Sequence, residues 1–66
     1  MSYSLIISNH PDRTSQIIEF QNIREALISF IDRCEDLGLE YREDNHGNFI
    51  AGGIGNDYSI ELTSNF

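Results

Sequence analysis

Cys34 is the one thiol of the 66-residue chain, and His10 and His46 are its two imidazoles. A cysteine beside a histidine can act as a nucleophile, the imidazole drawing off the thiol proton. The spacing here points elsewhere. Cys34 falls on the apolar positions of a helical pattern, where desolvation keeps a thiol protonated and inert. The two histidines lie in separate turn-forming segments, and nothing in their spacing brings either to Cys34. No serine stands in the strand–turn–helix pattern of a nucleophile elbow.

Metal and phosphate chemistry fare no better. Asp44-Asn45-His46-Gly47-Asn48 has the residue types of a calcium loop. An EF-hand loop, however, needs glycine at its sixth position and a bidentate glutamate at its twelfth. Counted from Asp44, glycine is fourth and the twelfth residue is Gly55, so the segment reads as a β-turn. Ala51-Gly52-Gly53-Ile54-Gly55 is glycine-rich, but a dinucleotide cradle requires a helix after it. Here a turn and a strand come next, so a strand carrying a bulge is the expectation. No cofactor and no metal are expected. A domain this small, with one helix, has little room for a deep catalytic pocket. The chain is expected not to be an enzyme.

One group of charged residues stands out. Asp32, Glu35, Asp36, Glu40, Glu43 and Asp44 fall within thirteen residues, opposed only by Arg33 and Arg42. Asp32, Glu35 and Asp36 share a helical face by their i, i+3 and i+4 spacing. Glu40 and Arg42 fall on one side of the segment after the helix, with Leu39 and Tyr41 on the other. Carboxylates late in a helix oppose its dipole. Such a surface suits a basic partner, or keeps a small protein in solution.

The clearest element that positions these groups is a helix over Ile23–Leu37. Ile23, Ala26, Leu27, Phe30, Ile31, Cys34 and Leu37 recur in steps of three and four and make one apolar stripe. Asn22 is a good N-cap, with Glu25 three residues on in a capping-box pattern. Gly38 supplies the left-handed stop. Ile28 lies off the stripe and is expected to be partly exposed.

Strands are expected on both sides of the helix. Tyr3, Leu5 and Ile7 alternate with Ser4, Ile6 and Ser8, and Ile18 and Phe20 alternate with Ile17, Glu19 and Gln21. The intervening segment 9–14 is turn-forming, so a hairpin is the simplest connection. After the helix, Leu39 and Tyr41 begin a strand and residues 45–48 form a turn. Asn48–Ile54 form a strand weakened by Gly52 and Gly53, and Tyr58, Ile60 and Leu62 lie on the last strand. The order is ββαβββ. It implies a two-layer α+β domain spanning 1–66, with an antiparallel sheet of four to five strands and one helix on one face. The expected core is Tyr3, Leu5, Ile7, Ile18, Phe20, Ala26, Leu27, Phe30, Ile31, Cys34, Leu37, Leu39, Tyr41, Tyr58, Ile60 and Leu62. Phe49 and Ile50 point to opposite faces, and the sequence leaves open which is buried. Asn65 and Phe66 are expected to fray.

Composition bounds the function classes. The chain carries eleven carboxylates against four arginines and no lysine, for a formal charge of -7. A nucleic-acid binder must neutralise phosphates with Lys or Arg, so direct nucleic-acid binding is disfavoured, as is an anionic membrane. No stretch reaches the roughly 20 apolar residues of a membrane helix. Met1–Asn9 has no basic residue and only Leu5-Ile6-Ile7 as an apolar run, so no secretory leader is expected. A single thiol without a bridge fits a reducing, cytoplasmic setting.

The expected function is a non-enzymatic acidic module that binds a basic protein surface through Asp32, Glu35, Asp36, Glu40, Glu43 and Asp44. If that surface normally holds nucleic acid, the module is a nucleic-acid mimic and an inhibitor. Small phage-type antagonists of nucleases and defence complexes act in this way. The similarity to them is one of size and charge. The alternative is a small structural or regulatory subunit that forms a homodimer or larger assembly through the sheet face away from the helix, where Ile6, Ile17 and one of Phe49 or Ile50 lie.

Overall fold

A computed structural model describes residues 2–44, 47–53 and 55–65. The elements run β1 (Ser2–Asn9), β2 (Thr14–Phe20), α1 (Ile23–Leu37), β3 (Tyr41–Glu43), β4 (Phe49–Gly52) and β5 (Tyr58–Asn65). This is the ββαβββ order that the alternation predicts. The strands form one five-stranded sheet in the order β2-β1-β5-β4-β3, every neighbouring pair antiparallel. The helix packs on one face, making the two-layer α+β domain.

Period-two alternation decides which side chains meet the helix. Leu5 stands opposite both Ile18 and Leu62, and Ile7 opposite Ile60. The pattern continues into β4, where Phe49 faces Leu62 and Ala51 faces Ile60. Leu5, Ile60, Leu62 and Ala51 are buried with Ala26, Phe30 and Cys34 of the helix. Tyr3, Ile7, Ile18, Phe20, Leu27, Ile31, Leu37, Leu39 and Phe49 pack around them. Phe49 is therefore the member of its pair that joins the core, and Ile50 faces the other side.

Local chemistry fixes the helix ends. The Arg24 amide donates to the Asn22 side chain, with Oδ1 2.8 Å from the nitrogen, which satisfies one of the orphan donors of the first turn. At the other end Gly38 takes φ +67°. Its amide donates to the Glu35 carbonyl, and the Leu39 amide donates to that of Cys34. These are the two bonds of a Schellman motif.

Several details depart from the sequence-based expectations. Thr14, expected in the turn, opens β2, because the loop needs only residues 10–13. The Arg13 amide donates to the His10 carbonyl, and Arg13 itself takes φ +55°. The Asn9 side chain bridges the Asp12 amide and carboxylate, which closes this short loop. Leu39 is outside β3, since the Schellman motif uses its amide. Tyr41, expected in the core, is 48% exposed because β3 is the sheet edge. Ala51 is a core residue that the apolar pattern did not single out. Gly52 and Gly53 end β4 instead of bulging within it, both at positive φ. Asn65, expected to fray, is held in β5, its side-chain amide donating to the hydroxyls of Ser2 and Ser4. Of the expected 45–48 turn, Asn45 and His46 lie outside the described residues, as do Ile54 and Phe66.

Candidate functional site: an acidic helix face and an open sheet face

The helix buries Ala26, Phe30 and Cys34, so its opposite side is fixed by the same 3.6-residue period. Asp32, Glu35 and Asp36 are exposed there, and Glu25, seven residues before Asp32, continues the same face. The last turn holds no basic residue. Ile28 lies among these carboxylates and is 53% exposed.

The other three predicted site residues occupy different positions. Glu40 and Arg42 line one shallow hollow with Gly52 and Asn56. The Tyr41 ring meets Phe30, so β3 presents Tyr41 and Glu43 on the helix side and Arg42 on the other. Asp44 serves the β3–β4 connection. Its carboxylate accepts from the Asn48 amide at 3.0 Å, while its own amide donates to the Asn48 carbonyl. The helix trio thus forms one outward face, extended by Glu25, whereas Glu40 and Asp44 are held elsewhere by the strand and the turn. Arg33 borders a hollow formed with Ile7, Gln16 and Tyr58, at the flank of the helix.

The sheet face away from the helix carries a second arrangement. Ile17, Ile6, Glu61, Ile50 and Arg42 stand directly opposite one another on β2, β1, β5, β4 and β3, in a single row across the sheet. A groove of about 540 Å³ is lined by Ile6, Glu61, Ile50 and Arg42 of this row, together with Ser8 and Ser59, and stops short of Ile17. Ile17, at the end of the row, is 61% exposed.

One nucleophile–base pair appears that the sequence did not suggest, because its members are 49 residues apart. His10 Nε2 lies 3.1 Å from Ser59 Oγ. The His10 amide also donates to the Asp57 carbonyl at 2.8 Å. Acyl-transfer sites hold the imidazole with a third group on its other nitrogen. Among the described residues His10 has no second side-chain partner. The pair ties the β1–β2 loop to the start of β5.

Cys34 is in the core beside Ala26 and Phe30, and burial pushes its thiol pKa up. Among the described residues, no group of three or more His, Cys, Asp or Glu side chains converges as a metal site. Among them, too, no helix is long and apolar enough to cross a membrane. No protein family, curated protein or solved structure matches the chain.

Proposed function

We propose that this chain is a non-enzymatic binding module that presents the outer face of α1 to a basic surface on a partner protein. The observation that carries this reading is the run Glu25, Asp32, Glu35 and Asp36 along the exposed side of one helix. Carboxylates in a last helical turn face the negative end of the dipole, at a cost of about 0.3–1 kcal/mol each. A 66-residue domain has a thin stability margin, so binding is a reason to retain such a placement. A helix carrying carboxylates one turn apart is a rigid, pre-ordered array of negative charge. A groove or ridge of arginines and lysines that ordinarily holds nucleic acid is its natural complement. Occupying that surface makes the module an inhibitor, in the manner of small phage-type antagonists of nucleases and defence complexes.

Affinity capture from the native host tests the reading. The expected catch is a basic protein, released both by raised salt and by added duplex DNA. Charge reversal at Asp32, Glu35 and Asp36 should abolish capture and leave the circular dichroism spectrum unchanged. Capture that persists in that variant overturns the assignment.

A further inference from the structure

The two edges of the sheet are treated very differently. β3 is three residues long, and two of its side chains, Arg42 and Glu43, are charged. Short, charged strands are how natural sheets discourage edge-to-edge pairing. β2, the other edge, is seven residues long and pairs with β1 in unbroken register from Thr14 to Phe20. It has no proline, no lysine and no bulge, and its one charge is Glu19. Its middle residue, Ile17, is the most exposed of the large apolar side chains among the described residues.

We propose that β2 pairs with β2 of a second copy of this chain, antiparallel about a two-fold axis at Ile17, joining two sheets into one of ten strands. The strand is self-complementary. An antiparallel two-fold centred on Ile17 sets Ile17 opposite its own copy, Gln16 opposite Ile18, Ser15 opposite Glu19, and Thr14 opposite Phe20. No carboxylate meets a carboxylate, a demanding condition in a chain of net charge -7. Ile6 already stands beside Ile17 on the open face. The pairing therefore completes a four-isoleucine row, Ile6–Ile17–Ile17–Ile6, across the junction. It also gives the outward backbone amides and carbonyls of β2 their ladder partners. Dimerisation through β2 uses none of the docking residues on α1, so the two functions stand or fall separately.

Light scattering on the full chain across a dilution series should show a mass rising from one chain to two. I17K, which sets two ammonium groups against each other at an already exposed position, should remain monomeric at every concentration with unchanged circular dichroism. S15K places an ammonium opposite Glu19 of the second copy, twice by symmetry, and should tighten the dimer about threefold or more. I28K makes the same change in net charge on the helix and should tighten it less. A wild-type chain that stays monomeric throughout overturns the proposal. So does a dimer that survives I17K, or an S15K dimer no tighter than that of I28K.

Discussion

The ring of Tyr41 stands edge-on to that of Phe30, with centroids 5.6 Å apart and planes at 83°. Phe30 also meets Phe49 at 6.0 Å. One fully buried helix residue thus anchors both β3 and β4, the two short strands on that side of the sheet. Phe30→Ala should cost about 3–5 kcal/mol. The whole domain is expected to be stable by about 3–10 kcal/mol. Urea unfolding of this variant should therefore show little or no folded baseline. Tyr41→Leu keeps apolar area and loses the edge-on ring contact, so about 1 kcal/mol is expected.

Two glycines separate backbone strain from steric collision. Gly38 and Gly52 both take positive φ, +67° and +77°. A Cβ at Gly38 would enter open space, whereas one at Gly52 would run into the Tyr58 carbonyl oxygen across the β4–β5 pair. Gly38→Ala should cost about 1 kcal/mol for the left-handed conformation alone. Gly52→Ala should cost at least about 2 kcal/mol, because backbone must move as well. Equal midpoints in denaturant would contradict this ranking.

The helix face proposed for docking should be a stability liability. Glu35→Gln and Asp36→Asn remove charge from the last turn, and each should raise stability by about 0.3–1 kcal/mol at low ionic strength. The gain should shrink in high salt. Thermal melts at two salt concentrations provide the check. The same substitutions should weaken capture of the basic partner, so stability and binding move in opposite directions.

Cys34 sets an alkaline limit on the fold. Its thiol pKa is raised by desolvation in the native core. Below the unfolded-state pKa the thiol is protonated in both states, and its contribution to stability is complete. As pH rises past that value the unfolded thiol ionises first and binds fewer protons than the native one. The contribution is then lost progressively up to the native pKa. Subtracting the stability of Cys34→Ala from wild type should give a difference that is flat at neutral pH and declines in alkali. Alkylation of the native protein should also be slow and should accelerate with urea.

The helix was legible in the sequence because its signals are local. The apolar stripe, the Asn22 cap and the Gly38 stop all lie within a few residues of what they control. The strand order was not. Whether Phe49 or Ile50 faces the helix depends on register with Leu62 and Glu61, which no local pattern encodes. Ala51 is buried because it sits opposite Ile60, not because alanine is strongly apolar. Tyr41 lost its expected cover for the same reason, since only the strand order makes β3 an edge. The site divides along this line. Asp32, Glu35 and Asp36 could be placed together from helical spacing. Their nearness in sequence to Glu40 and Asp44 did not carry over, because alternation and a turn intervene.

The central strand, β5, lies beside β1, a distant stretch of the chain, with Ser2 beside Asn65 and Leu5 beside Leu62. During synthesis the first hairpin and the helix, which pack on one another, emerge before residues 58–65, the strand that brings Ile60 and Leu62 into the core between β1 and β4. The sheet is completed only by this long-range pairing, which lowers the expected folding rate.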